Sequence, residues 1–122
     1  MANVALESGH FRRHGRFPIR LKVGLRKLPE RGTRDVEAQT ENLGFGGIFV
    51  VMEPALPTGT RMLVAISMVT AWEPLRIPST VRWVREPARG VRAGMGLSFD
   101  QLTPEQVVAI YRLIAAQGFD SE

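Results

Sequence analysis

The chain has 122 residues, a formal net charge of +4 and no cysteine. That length is one domain, able to bury roughly two thirds of its unfolded surface without staples, and the lack of cysteine excludes disulfides and thiolate chemistry. Apolar runs of about five residues fall far short of the roughly 20 that cross a bilayer, and Met1-Ala-Asn-Val-Ala-Leu-Glu7 lacks the basic-then-apolar order of a signal peptide, so a soluble cytoplasmic protein without membrane insertion is expected. The charge is uneven. Residues 1–34 carry nine Lys or Arg against two acids, whereas the other 88 carry seven Arg against ten acids. Arginine outnumbers lysine fourteen to two, and its planar fork grips phosphate and the guanine edge in bidentate fashion.

In chain order, residues 1–11 lack periodicity and read as a flexible N-terminal arm. The arginines of Phe11-Arg-Arg-His-Gly-Arg-Phe17 follow. From Phe17 to Lys27, Ile19, Leu21, Val23 and Leu25 alternate with Arg20, Lys22 and Arg26, the pattern of a half-buried strand. Leu28-Pro-Glu-Arg-Gly32 is a turn. A weaker alternation through Val36, Ala38 and Thr40 predicts a strand over Thr33 to Leu43. Gly44, Gly46 and Gly47 then form a tight, exposed turn, where glycine supplies positive φ or close backbone approach. Asn42 stands at its entrance, a residue type that bonds readily to nearby backbone. The apolar run Ile48 to Met52 is a buried strand. After a loop with two prolines, further strands are expected over Arg61 to Val69, Leu75 to Glu86 and Val91 to Phe99. Ile77, Val81, Trp83 and Val84 are core candidates.

One helix closes the chain. Thr103-Pro-Glu-Gln106 has the spacing of a capping box with proline at the first helical position. Val107, Ile110, Tyr111 and Ile114 form the expected apolar stripe, and Gly118 the stop. Six or so short strands between turns indicate a sandwich or a barrel. Residues 12–118 are read as a single domain and 119–122 as a tail.

Few residues suggest catalysis. His10 and His14 have no further ligands nearby in sequence and read as part of a solvated tail rather than a metal site. No carboxylate pair and no nucleophile elbow appears, so an enzyme is not expected. Trp72, in a turn beside Pro74, is the expected exposed tryptophan, and Trp83, in a strand pattern, the expected core one. The clustering of Arg12, Arg13 and Arg16 just before a strand differs from a solvated charge run, because Phe17 and Pro18 fix the chain there. The expectation is that this stretch meets the glycine turn and binds a small anion.

In these residues the sequence resembles the PilZ domains, bacterial receptors for cyclic di-GMP. Arg12-Arg-His-Gly-Arg16 is similar to the family's RxxxR motif, and Asn42-Leu-Gly-Phe-Gly-Gly47 to its [D/N]xSxxG motif. Leu56-Pro-Thr-Gly-Thr60, Gly94-Met-Gly-Leu-Ser-Phe99 and Leu102-Thr-Pro-Glu105 follow in the family's order, so the resemblance runs from about Arg12 to Ile114. It implies an all-β fold with one C-terminal helix, a six-stranded antiparallel PilZ-type β-barrel. It also implies that Arg12 and Arg16 grip phosphates and guanine edges, that Arg13 assists, that Asn42 bonds a guanine or holds the loop, and that Gly47 keeps the loop backbone close to the ligand. Gly44 departs from the motif, which has Ser there. The implied function is a stand-alone cyclic di-GMP receptor that passes the signal to an unidentified effector protein. The alternative is a PilZ-like protein-interaction module that does not bind the nucleotide. Nucleic acid is not an expected partner, since the acidic remainder of the chain and the lack of exposed aromatic rows argue against it.

Overall fold

The computed structural model describes residues 16–29, 35–68 and 72–118. Its strands are β1 Lys22–Lys27, β2 Val36–Leu43, β3 Gly47–Val51, β4 Arg61–Ile66, β5 Leu75–Arg85 and β6 Gly94–Phe99, followed by the helix α1 Pro104–Ala116. Every pairing is antiparallel, and the strands close into a barrel in the order β1-β2-β3-β6-β5-β4. Closure settles the choice between sandwich and barrel: one apolar set per strand turns inward, as the alternation requires, and the ring of described strands closes on itself. Val23 and Leu25, Leu43, Ile48 and Val50, Met62, Val64 and Ile66, Ile77 and Val81, and Met95 and Leu97 fill the interior.

The first strand is shorter than its alternation predicts. Pro18 has no N–H to donate to a ladder, and β1 begins only at Lys22. Residues 17–21 instead run along β2 in separate contacts. Phe17 and Leu43 exchange two backbone hydrogen bonds of 2.9 Å, and Thr40 N donates to Leu21 O at 2.9 Å. The buried Thr40 hydroxyl donates to Ile19 O at 2.6 Å and accepts from Leu21 N at 2.9 Å. A buried hydroxyl satisfied in both directions carries little desolvation penalty, and it locks Ile19 into the core. Bounds of the other strands also move: β2 starts at Val36 and β4 stops at Ile66. β3 is shifted one residue toward Gly47, β5 stops at Arg85, and β6 starts at Gly94 because Val91 is used in a tight pair with Ala88.

The helix starts as its sequence requires. Thr103 Oγ1 accepts from Gln106 N at 3.1 Å while Thr103 N donates to Gln106 Oε1 at 2.9 Å, with Pro104 in the first turn. It stops at Gly118, whose φ of +96° lies in the left-handed region. The buried face corrects the expected stripe. Ile110, Leu113 and Ile114 pack on the barrel, whereas Val107 and Tyr111 are 40% and 42% exposed. Gln106 Nε2 donates to the β5 carbonyl of Arg76 at 3.1 Å, so position 106 rather than 107 meets the sheet, and Leu113 is buried in place of Tyr111. Each of the three buried aliphatic side chains contributes about 1.5–3 kcal/mol.

Candidate functional site

The two stretches singled out by sequence meet at one corner. Arg16 Nη1 donates to Asn42 Oδ1 at 2.9 Å, across 26 positions of chain. The Phe17–Leu43 pair beside it holds the two backbones together. Asn42 is therefore engaged with Arg16 at the mouth of the glycine turn. Arg12 and Arg13 lie outside the described residues, as do His10 and His14.

The glycine turn is less exposed than expected. Gly44 and Gly47 are buried and only Gly46 is exposed. Gly44 N donates to Gly47 O, and Phe99 N to Gly46 O, each at 2.9 Å, so the turn is stitched to itself and to β6. Positive φ among the described glycines falls on Gly59, Gly90 and Gly118, none of them in this turn. At Gly47 the requirement is close approach: a Cβ there would collide with the Leu97 carbonyl of β6.

The strand register shows what surrounds this corner. Leu43, Ile48, Leu97 and Val81 are paired across β2, β3, β6 and β5, and all point inward. The next row, Asn42–Phe49–Gly96–Trp83, therefore lies on the outer face, and so does the row Gly47–Ser98–Thr80 beside the turn. Trp83 is a correction. It is not core but 46% exposed, because the register shifts between Val81 and Trp83 and moves the strand's parity. Trp72 is fully exposed, as expected.

Trp83 is held in a built recess. Its ring stacks on Phe49, with centroids 4.8 Å apart and planes 24° apart. A Cβ at Gly96 would strike the Nε1 edge of the indole, and one at Gly94 the Phe49 ring. Two side-chain-free positions on β6 thus make room for two large rings. Phe49 lies toward Gly94 and backs one face of the indole, and Ser98 follows Gly96 on the outer face of β6 toward the glycine turn. Arg82 Nε donates to Ser98 Oγ at 2.9 Å on that side.

Beyond Phe49, the Arg85 guanidinium lies over the ring at 4.5 Å from its centroid. Its Nη1 and Nη2 donate to the two Glu41 carboxylate oxygens at 3.1 and 2.8 Å, and its Nε to Arg92 O at 2.8 Å. The Arg85 hydrogen bonds hold the Glu41 carboxyl below its ordinary pKa, with a further contribution from Arg20, and Glu41 in turn raises that of Arg85. Phe49, Glu41 and Arg85 were not site candidates from sequence, and Trp83, a possible platform as an aromatic, was assigned to the core by its strand pattern. The available signal was the pair Gly94 and Gly96, two apart on a strand, which marks space for something large above them.

The corner offers a guanidinium fixed by an amide and a backbone floor, and a flat aromatic face stands on the same outer row as Asn42, with β3 and β6 between them. That combination suits a planar anionic ligand, through bidentate contacts and stacking. No group of three or more His, Asp or Glu side chains among the described residues is placed to hold a metal. None of the described helices is long and apolar enough to cross a membrane.

Comparison with known proteins gives the fold a context. No curated protein matches the chain. Among solved structures, the chain is similar to the Bacillus subtilis inhibitor of motility MotI/DgrA, with 18% identity and a TM-score of 0.65 over 84% of this chain and 49% of that one, so it spans about half that protein's length. It is also similar to the PilZ domain of CeSA from a cellulose-synthesizing bacterium, with 18% identity and a TM-score of 0.61 over 85% and 98% of the two chains. The PilZ domain of Escherichia coli YcgR, solved with cyclic di-GMP, aligns at 14% identity and a TM-score of 0.56 over 80% and 87%. The PilZ domain model matches residues 10–116, nearly the whole length over which barrel, helix and corner have been described, and the chain belongs to the PilZ domain family.

Proposed function

We propose that this protein is a cyclic di-GMP receptor of the cytoplasm that passes ligand occupancy to an effector protein. The observation that carries the reading is the Arg16–Asn42 bond, which joins two distant motif stretches at one corner. In this reading Arg16, with Arg12 and Arg13 preceding it, takes the phosphates and the guanine Hoogsteen edge. Asn42 orients Arg16 and is within reach of a base. Gly44 and Gly47 form a floor without side chains, and Trp83 supplies a face on which a purine stacks. Stacking and charge then add on one ligand: a bidentate charged contact is worth about 1.5–3 kcal/mol and a stacked base about 1–3 kcal/mol. No group here is arranged for bond chemistry, and the activity proposed is binding.

A second reading rests on Gly44. The family's motif has Ser at that place, and without its hydroxyl the corner loses a ligand contact of roughly 0.5–1.5 kcal/mol. A PilZ-like interaction module that does not bind the nucleotide is the outcome if that loss is decisive. Calorimetric titration with cyclic di-GMP separates the two. Binding by the unmodified chain, weakened by about 1.5–3 kcal/mol in Arg16→Ala, supports the receptor. Absence of heat from a folded chain leaves the module.

A further inference from the structure

The Glu41–Arg85 pair is oddly placed for a surface ion pair. Arg85 is on β5 and Glu41 on β2, and the strand order puts both β6 and β3 between them. The guanidinium reaches across two strands and lies over Phe49 on the way. Its fork is directed to the two carboxylate oxygens and its Nε to Arg92 O. An exposed pair contributes little to stability, typically well under about 1 kcal/mol, unless its geometry is fixed as it is here by a bidentate contact. Fixed geometry is what a platform needs.

The ring beneath is equally unusual. Phe49 is on the outer face of the barrel yet only 1% exposed. It is covered by Arg85 and Trp83, which flank it from two positions of the same strand. With no Cβ at Gly94 or Gly96 to wedge the rings, their stacking on each other and the Arg85 cover take a larger part in how they stand. Without Arg85, the Phe49 ring, which already fills the space above Gly94, would lose the cover on its outer face, and Trp83 would lose a fixed backing.

We infer that Glu41 and Arg85 are positioning residues for ligand binding: their pair straps Phe49 to the barrel so that Trp83 presents a fixed flat face to a purine. The inference rests on the receptor reading above and deepens it. Neither residue touches the ligand. They act by keeping the platform populated, and if release of the strap leaves the indole in place about a tenth of the time, the apparent dissociation constant rises about tenfold.

The test uses the full chain with Trp72→Phe, which leaves Trp83 as the single tryptophan of the two in the sequence. Three variants are made in it. Arg85→Met keeps an apolar stem over Phe49 and removes the fork. Glu41→Gln keeps the shape and removes the charge. Arg61→Met breaks the Arg61–Asp100 pair, which shares no partner with Glu41 or Arg85, as a control for loss of a surface ion pair. The near-ultraviolet circular dichroism of Trp83 reports how well the indole is fixed, and titration with cyclic di-GMP reports binding. Arg85→Met is expected to lose most of the Trp83 band and to bind about tenfold more weakly, Glu41→Gln to show the same changes in smaller measure, and Arg61→Met to show neither. Should Arg85→Met not fold, Glu41→Gln alone decides. An unchanged Trp83 band and unchanged affinity in the folded variants overturn the positioning role alone. An unmodified chain that binds no cyclic di-GMP overturns the receptor reading and, with it, the role given to the strap.

Discussion

Trp83→Ala puts the proposed platform to a direct test, because the structure sets separate magnitudes for folding and for binding. Trp83 is 46% exposed and stacked on Phe49 at 4.8 Å. A large aromatic side chain buries about 150–250 Å² when packed, so roughly 100 Å² is taken from water here. At about 25 cal/mol per Å² that area is worth about 2.5 kcal/mol, and the loss of the aromatic pair adds roughly 0.5–1.5 kcal/mol. Folding stability should therefore fall by about 3–4 kcal/mol, measured by denaturant unfolding. Binding should fall by a further amount, about 1–3 kcal/mol for one stacked base, or roughly five- to 150-fold in dissociation constant. The titration is run at a temperature where the variant is folded. Trp83→Phe, which keeps a flat ring, should retain most of both. If Trp83→Ala is destabilised as expected but binds cyclic di-GMP as tightly as the unmodified chain, the indole is only a cover for Phe49 and the glycine positions, and the platform is refuted.

Three other predictions are independent of the indole. Gly44→Ser adds the hydroxyl of the family's motif at a position that lies outside the positive-φ glycines; it should tighten cyclic di-GMP binding by roughly 0.5–1.5 kcal/mol in calorimetry, and an unchanged affinity would show that the hydroxyl is not needed here. Ile110→Ala should destabilise by about 2–5 kcal/mol and Thr103→Ala by about 1 kcal/mol in denaturant unfolding, whereas a near-neutral Ile110→Ala would contradict the docking of α1 on the barrel. Acid should weaken the fold through Glu41 and Asp100. Arg85 bonding lowers the Glu41 pKa; burial raises that of Asp100, but hydrogen bonds from Thr80 and Arg61 outweigh it and leave it lowered. A carboxyl lowered on folding stabilises above its unfolded pKa, and that contribution is lost as pH falls through the folded value. Stability should thus be flat near neutrality and decline from the ordinary carboxylate range downward, and Glu41→Gln should show a shallower decline.

The parts of the fold that were legible in the sequence are those decided locally. The Thr103–Gln106 cap and the Gly118 stop depend on a few adjacent residues, and both stand as expected. The meeting of Arg16 with Asn42 followed from two motif stretches, each next to a strand. The helix face was not legible, because positions 107, 110, 111 and 114 and positions 110, 113 and 114 are both valid stripes, and the choice is made by tertiary packing, which buries Leu113 and brings Gln106 to Arg76. Trp83 was misplaced for a related reason. Alternation assumes unbroken parity, and the irregularity after Val81 shifts it. The strap over Phe49 was hidden because it links β2 to β5 across strands that are not neighbours in sequence.

Closure of the barrel bears on how a receptor of this kind can speak to another protein. Among the described residues every strand of the ring has a partner on both sides, so none leaves its whole length of backbone donors and acceptors to an incoming peptide. Strand addition, a common way for small β domains to recruit a segment, has no full edge to add to on this ring. Recognition of an effector has to be read from side chains on the outer face, from the loops, or from α1, and its specificity can change by surface substitution while the hydrogen-bonded ring stays intact.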